Sequence, residues 1–218
     1  MFLKCGKSWQ NQFILYGKGR TSRQGERIYE SISEIYTIKH NYPYSNMLQT
    51  KRIRLRAVEP EDLDLMYLIE NDTDLWKYGA STVPYSRFAL RQFIEQTRSN
   101  IYQDGQLRLA IETTEGITIG FVDIQELNMK HLRAEVGIVI VSEWQGKGYG
   151  SEALELLCNY VDTHLNLHQL YAIVSESNVN ACKLFESRKF KPSGTLAEWL
   201  KDGSSYSNVY IFTRIFRH

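Results

Sequence analysis

The sequence has few cysteines and no long apolar run, and both shortages limit the classes of protein that it fits. Its three cysteines are Cys5, Cys158 and Cys182, two of which fall in helical patterns, so we expect free thiols in a reducing cytoplasm rather than a disulfide framework. The longest apolar run near the start is Phe13–Tyr16, far shorter than a signal-peptide core or the ~20 residues of a membrane span. The sequence therefore predicts a cytoplasmic protein with no membrane partner.

Histidines are also scarce, and their spacing does not favour a metal site. His164 and His168 are four residues apart but straddle the expected end of a helix. No cysteine stands near them, and no clear carboxylate completes a ligand set. We expect no metal.

Length and composition indicate one main globular domain, because 218 residues suffice for one core and 43% of them are hydrophobic. Residues 47–218 are expected to form this domain. Residues 1–46 carry seven Lys/Arg and three Asp/Glu, and two explanations of them stay open. The segment is either a mis-called start upstream of Met47 or a basic arm that touches nucleic acid or a partner subunit. Because seven basic residues are close to ordinary surface density, we do not expect nucleic acid as a partner.

The hydrophobic pattern from Arg52 onward alternates between strand and helix periods. The first strand has Ile53 and Leu55 on its buried face, and the acidic stretch after Glu59, with Pro60 in the first turn, begins a helix. A second helix begins after Ser86. The apolar face of that second helix is expected to consist of Phe88, Phe93, Ile94 and Thr97. Further expected strands are Leu107–Glu112, Thr118–Gln125, Ala134–Val141 and Leu170–Val174, and further expected helices are Ser151–Leu165 and Asn178–Ser187. The chain is expected to close with a hairpin of Thr195–Leu200 and Val209–Phe216 that turns at Asp202-Gly203.

A glycine-rich turn, Gln145–Gly150, lies between the apolar strand ending at Val141 and the helix expected from Ser151. Glycines permit close backbone approach, and the first turn of a helix presents unpaired N–H groups with partial positive charge, to which Lys147 adds a full one. The spacing is neither the G-x-G-x-x-G of dinucleotide-binding folds nor a P-loop. The turn therefore predicts a ligand that carries a pyrophosphate.

The same segment resembles the acetyl-CoA loop of the GNAT superfamily of N-acetyltransferases, whose pattern is Gln/Arg-x-x-Gly-x-Gly/Ala. The resemblance extends from about Lys51 to Phe216, and is closest to spermidine and ribosomal-protein N-terminal acetyltransferases. It implies an α/β fold with a central mixed, mostly antiparallel, seven-stranded sheet flanked by about four helices. It also implies direct acetyl transfer from acetyl-CoA to an amine. The alternative class is a non-catalytic CoA-binding module.

By resemblance, coenzyme A contacts lie on the fourth strand, the glycine turn and the last helix. Val139 and Val141 would offer backbone groups to the pantetheine arm, and a backbone N–H at this end of the strand would stabilise the oxyanion. Asn178 either contacts CoA or caps its helix. The full set of expected CoA-binding residues is Val139, Ile140, Val141, Gln145, Gly146, Lys147, Gly148, Tyr149, Gly150, Ser151, Asn178, Asn180 and Lys183.

An alkylammonium with a pKa of ~10.4 must lose a proton before it attacks a thioester, so a general base is required. Glu135 occupies the position in the fourth strand at which some GNAT relatives carry that base. The alternative role for Glu135 is an ion pair with Arg133 or Arg108 across the sheet.

The last helix departs from the GNAT pattern at two positions. Phe185 stands where many relatives carry a tyrosine that protonates the departing thiolate, and a phenyl ring has no proton to give. Tyr149 and Tyr160 are weaker candidates for that role. Lys189 replaces a glycine at the end of the helix.

The sequence does not decide which amine accepts the acetyl group. Acidic residues cluster around the first helix, which favours a polyamine, although a solvated acidic face is the commoner explanation. Thr82–Ser86 lacks the glutamates that spermidine enzymes carry around a Pro-Tyr pair, so another small amine or a peptide N-terminus is also open. Relatives commonly pair through their sheets, which makes a homo-oligomer an expectation. The acidic residues are Glu59, Glu61, Asp62, Asp64, Glu70, Asp72 and Asp74.

Overall fold

The computed structural model describes residues 47–78, 83–96 and 100–217. The expectations for residues 1–46, Thr82 and Thr97 lie outside the described residues. The seven strands form one sheet in the order β1-β2-β3-β4-β5-β7-β6. They are β1 Ile53–Ala57, β2 Leu107–Thr113, β3 Thr118–Asn128, β4 Arg133–Ile140, β5 Gln169–Ser175, β6 Lys191–Asp202 and β7 Ser205–Ile215.

Each neighbouring pair of strands is antiparallel except β4 and β5, which run parallel. This confirms the predicted mixed, mostly antiparallel, seven-stranded sheet. Six α-helices are present in the described part of the chain, where about four were expected. They are α1 Leu63–Glu70, α2 Thr73–Trp76, α3 Arg87–Gln96, α4 Ile101–Asp104, α5 Tyr149–Tyr160 and α6 Val179–Ser187.

The two helices that the pattern did not predict, α2 and α4, are four residues long, which is too short to show an apolar period. Side-chain caps begin both of them. The side chain of Asp72 accepts from the N–H of Asp74, and that of Asn100 accepts from the N–H of Tyr102. The first of these helices contributes to the candidate site.

The main core lies between the sheet and α5, whose Ala153, Leu154 and Leu157 are fully buried. This helix begins two residues earlier than expected, and its last predicted residues, Val161–Leu165, form a π-helical turn. On α3 the expected position of Phe88 was wrong, because its side chain is 69% exposed. Leu90 occupies the buried face instead, one turn before Ile94, as a helical period of 3.6 requires.

The closing hairpin turns one residue later than expected. Asp202 still pairs with Ser205, so the two-residue loop is Gly203-Ser204, and Gly203 has φ +60°. A positive φ at the first loop position is what short hairpin turns require.

The end of α6 forms a Schellman motif. The N–H of Phe190 donates to the carbonyl of Phe185 at 3.1 Å, and the N–H of Lys189 donates to that of Glu186 at 3.2 Å. The Phe185 and Phe190 rings pack with centroids 5.1 Å apart, which is the hydrophobic contact that accompanies this motif. Lys189 adopts φ +65°, so the chain keeps the left-handed conformation that a glycine would favour at this position.

Candidate active site

A gap opens in the middle of the sheet where β4 and β5 separate. The parallel register contains three pairs, of which Glu135 with Tyr171 is the last, although β4 continues to Ile140 and β5 to Ser175. Beyond the pair of Glu135 and Tyr171, the two strands do not bond to each other in the described part of the chain. An extended ligand that enters this gap meets one strand edge on each side.

The hydrogen bonds at the two ends of β4 determine which backbone groups face the gap. The N–H of Val141 donates to the carbonyl of Ile119 beside β3 at 3.0 Å, whereas the carbonyl of Leu132 accepts from Gln169 of β5 at 3.1 Å. Backbone direction alternates along a strand, so odd-numbered residues of β4 face β3 and even-numbered residues face β5.

The backbone groups of Val139 and Val141 were expected to contact the pantetheine arm, but they point to β3. The backbone groups that point into the gap are those of Ile138 and Ile140. The Ile140 carbonyl accepts a hydrogen bond from Nε2 of Gln145 at 2.7 Å. The N–H groups of Ile138 and Ile140 are therefore the backbone donors of β4 that face an oxyanion in the gap.

The glycine turn has the geometry of an anion cradle. Gly146 and Gly148 have φ +71° and +86°, and Gly148 is the N-cap of α5. The first bond of the helix joins the N–H of Glu152 to the carbonyl of Gly148. In the described residues, no backbone carbonyl accepts from the N–H groups of positions 146–151. These donors at a helix N-terminus suit a diphosphate.

Two cations flank this turn, and the sequence indicated only one of them. Lys147 holds its Nζ 5.1 Å from the Trp144 ring. Arg52, at the start of the domain, donates from Nη1 to the Lys147 carbonyl at 3.1 Å and from Nε to Glu152 at 2.8 Å. Its guanidinium also lies 4.6 Å from the Tyr149 ring centroid. Arg52 thus braces the turn, and the Glu152 carboxylate offsets part of the positive charge that it brings there.

The turn packs closely against neighbouring side chains at Gly148 and Gly150. A Cβ at Gly148 would lie 3.3 Å from Nη2 of Arg52, and one at Gly150 would lie 3.6 Å from the Ile140 side chain. Ser151, in the first turn of α5, has its Oγ 3.5 Å from that of Ser187 on α6.

The expected residues on α6 fall into two groups. Asn178 is the N-cap, and its Oδ1 accepts from the N–H of Ala181 at 3.1 Å, which is the capping role left open by the sequence. Its side chain also lines the cleft described next. Asn180 and Lys183 are exposed on the first turns of the helix.

A cleft of about 250 Å³ lies beside the separated part of β4. The end of α1, the short helix α2 and Tyr78 form one wall, and β4 with the start of α6 forms the other. The described residues that line it are Ile69, Glu70, Leu75, Trp76, Tyr78, Ile138, Val139 and Asn178. It is mainly apolar, with one carboxylate, one phenol and one amide as polar groups.

Glu135 lies at the closed end of the gap. Its partial burial, followed by the nearby charge of Glu126, raises the pKa of this carboxyl above its ordinary value, and a hydrogen bond with the Tyr171 side chain acts in the opposite direction. Burial likewise raises the pKa of the Tyr171 phenol. A carboxylate with a raised pKa, beside the gap, has the property of a general base.

The tyrosines proposed as proton donors lie away from the cleft. Tyr149 packs edge-on against Trp144 at the glycine turn, and Tyr160 stacks on His164 at the far end of α5. Phe185 is 4% exposed and packs in the core. Among the described cleft residues the phenol is that of Tyr78, which the sequence analysis did not identify.

Most of the acidic residues around α1 have structural partners. Asp62 pairs with Arg56 at 2.7 Å, Asp64 pairs with Arg87, and Asp72 caps α2. Glu70 also has a partner, Arg108 at 2.5 Å, but its carboxylate lines the cleft. The acidic face is therefore mainly structural, with Glu70 as the exception.

In the described part of the chain, no group of three or more His, Cys, Asp or Glu side chains is arranged to hold a metal ion. No helix among the described residues is long and apolar enough to cross a membrane.

A sheet that opens between two parallel strands, with a glycine turn and a helix N-terminus at the opening, defines a class of acyl-CoA-binding transferases. Residues 52–191 match the acetyltransferase (GNAT) domain family. This chain belongs to the GNAT acetyltransferase family and is an acetyl-CoA-dependent N-acetyltransferase.

Named relatives share most of this domain. The spermidine N(1)-acetyltransferase of Escherichia coli K12 is 31% identical over 166 residues, which is 76% of this chain and 87% of the relative. A crystal structure of spermidine N-acetyltransferase from Vibrio cholerae in complex with CoA and spermine has a TM-score of 0.69 and 28% identity, and the match covers 76% of this chain and 96% of that one. A dodecameric structure of the Vibrio cholerae enzyme has a TM-score of 0.62 and 27% identity, with 76% and 95% covered.

Proposed function

We propose that this protein transfers an acetyl group from acetyl-CoA to a primary amine of a polyamine such as spermidine. The single observation that supports a polyamine as the acceptor is the cleft beside β4. Glu70 lines this cleft together with apolar and aromatic residues. A polyamine presents ammonium groups joined by methylene chains, which match a carboxylate and apolar walls. The two spermidine acetyltransferases described above support the same acceptor class.

In this proposal the glycine turn and its flanking cations hold the diphosphate of coenzyme A. The unpaired backbone N–H groups of positions 146–151 supply hydrogen-bond donors. The side chains of Lys147 and Arg52 supply further donors and positive charge. Asn178, Asn180 and Lys183 stand on the neighbouring helix as further contacts. The gap between β4 and β5 receives the pantetheine arm, with the backbone groups of Ile138 and Ile140 as partners.

The donor supplies an acetyl thioester whose carbonyl carbon the amine attacks, forming a C–N bond and breaking the C–S bond. Two protons leave the ammonium nitrogen during the reaction. Glu135 accepts the first and passes it to solvent, and Tyr78 donates its phenolic proton to the sulfur and regains one from the nitrogen. The N–H of Ile138 stabilises the negative charge on the carbonyl oxygen. The transfer is direct and needs no metal.

Two further parts of the proposal concern the setting of the enzyme. The dodecameric structure of the Vibrio cholerae relative supports a homo-oligomer. Free thiols at Cys158 and Cys182 support a reducing cytoplasm. Residues 47–218 form the catalytic domain, and intact mass of the native protein decides whether residues 1–46 belong to it.

The function is tested by measuring thiol release from acetyl-CoA in the presence of different acceptors. The panel contains spermidine, spermine, butylamine and peptides with free N-termini. We expect the highest kcat/KM with a polyamine and a product that carries one acetyl group by mass spectrometry. Turnover on peptides alone would support N-terminal acetylation instead. Saturable CoA binding without turnover on any acceptor would indicate a binding module.

A further inference from the structure

Glu70 is held in the cleft wall by a buried charge cluster. Its side chain is 10% exposed, and its Oε1 lies 2.5 Å from Nη1 of Arg108. The same guanidinium donates from Nε and Nη2 to the two carboxylate oxygens of Asp123, at 2.7 and 2.9 Å. A bidentate partner on one side and Glu70 on the other fix the Arg108 side chain, and with it the position of the Glu70 carboxylate.

Among the ion pairs of the described residues, the Arg108 guanidinium faces two carboxylates, those of Glu70 and Asp123. These three groups together carry one positive and two negative charges. Arg108 is 8% exposed, so the charges act in surroundings that screen them weakly. Of the two acidic residues, Glu70 is the one that lines the cleft. The cleft therefore attracts a cation.

Two aromatic residues, Trp76 and Tyr78, line the same cleft as Glu70. The indole N–H of Trp76 donates to the backbone carbonyl of Glu70 at 2.8 Å, which holds the ring beside the end of α1. Tyr78 follows two residues later, and its ring already has the ammonium of Lys77 at 5.0 Å. Aromatic faces bind both methylene chains and ammonium groups.

We propose that Glu70 is the specificity-determining residue of the acceptor site, and that it binds an ammonium adjacent to the amine that reacts. The inference rests on the proposed function. The reacting amine must be neutral, but a second amine of the same molecule stays protonated near pH 7, because its pKa is ~10. A carboxylate beside apolar walls selects such a diamine over a monoamine of similar length. Glu70 acts in binding, not in proton transfer.

The test compares spermidine with butylamine as acceptors for wild type and Glu70→Gln. Glutamine keeps the size of the side chain and an oxygen that accepts from Arg108, but it removes the charge. We expect kcat/KM for spermidine to fall about 10- to 100-fold, as loss of a charge-assisted contact predicts. For butylamine we expect a change of less than about threefold.

Two companion variants separate recognition from structure. Asp74→Asn removes an exposed carboxylate on α2 that does not line the cleft, and should change neither acceptor. Glu70→Asp keeps the charge and should retain part of the preference for spermidine even if Glu70→Gln folds poorly. An equal loss for both acceptors in Glu70→Gln, with no preference retained in Glu70→Asp, would assign Glu70 a structural role and overturn the inference. So would an unchanged preference in Glu70→Gln.

The result for wild type shows whether the proposed function fails or only the role of Glu70 fails. If wild type acetylates no amine, the proposed function fails. If it acetylates butylamine as efficiently as spermidine, the acetyltransferase assignment stands and the role of Glu70 fails.

Discussion

Glu135 and Tyr171 form the last register pair of β4 and β5, and the Tyr171 phenol acts to lower the pKa of the Glu135 carboxyl against the burial that raises it. The candidate base therefore stands beside a phenol on the strand that diverges from its own. Its position along β4 is set by the sheet register, which places this candidate base at the closed end of the gap.

Replacing Glu135 by glutamine should lower kcat about 10²- to 10⁴-fold, as expected for loss of a general base. In wild type the rate should rise with pH through the raised pKa of Glu135, since the base works only when deprotonated. The variant should lose this acidic limb. Initial rates of thiol release across pH check both effects. A variant with wild-type kcat and an unchanged pH profile would exclude Glu135 as the base.

The same substitution should stabilise the protein at neutral pH. Because the pKa of Glu135 is higher in the folded state than its ordinary value of 4.5, the folded protein binds more protons in that window. The free energy of unfolding therefore falls as pH rises through the window, and the deficit persists above it. Glutamine carries no such deficit. Thermal melts should show a higher Tm for Glu135→Gln at pH 7 and no gain well below pH 4.5.

Tyr78→Phe should lower kcat about 10²-fold with little change in the KM for the acceptor, because it removes a proton donor and keeps the aromatic wall. Tyr160→Phe is the matched control, since Tyr160 stacks on His164 away from the cleft. Steady-state kinetics on both variants check the assignment. If the two variants behave alike, the proton on the sulfur comes from another group.

Gly148→Ala should weaken binding of acetyl-CoA. Its φ of +86° disfavours any Cβ, and the new methyl group would lie 3.3 Å from the Arg52 guanidinium. We expect about 1–2 kcal/mol of lost stability and a raised KM for acetyl-CoA. Gly116→Ala, at φ +82° with no atom near the new Cβ, is the control. It should lose comparable stability and keep its KM, and a raised KM in both variants would argue against a local effect at the turn.

Lys189→Gly should raise the free energy of unfolding by about 1 kcal/mol, because glycine adopts φ +65° without the penalty of a side chain. Arg188, at φ −107°, gives the control substitution Arg188→Gly, which should not stabilise the protein. Urea unfolding at fixed temperature measures the difference. A loss of stability in Lys189→Gly would mean that the lysine side chain contributes more than its backbone costs.

The parts of the site that the sequence predicted are those with a local cause. Three alternating glycines before an apolar helix predicted an anion-binding turn, because the turn geometry and the free N–H groups arise within a few residues. The apolar run Val136–Val141 located β4, and the resemblance to GNAT acetyltransferases singled out Glu135 on it. The direction of its backbone groups depends on which neighbour bonds to Val141, so Ile138 could not be told from Val139 by pattern alone.

The residues that the sequence did not reveal owe their roles to distant contacts. Arg52 reaches the turn across 95 positions, between its Nη1 and the Lys147 carbonyl, and nothing local distinguishes it from Arg54 and Arg56, which follow it in the sequence. Glu70 stands in an acidic stretch whose members look alike in sequence. Its pairing with Arg108, 38 residues away, and its place at the cleft follow only from the fold.

Acetyl transfer to a polyamine is measured most simply as the rate of thiol release from acetyl-CoA by the full chain as spermidine is varied. We expect a rate that saturates with both substrates, accompanied by a product that carries one acetyl group. Saturable binding of CoA without thiol release on spermidine, spermine or any other amine would refute acetyl transfer by this protein.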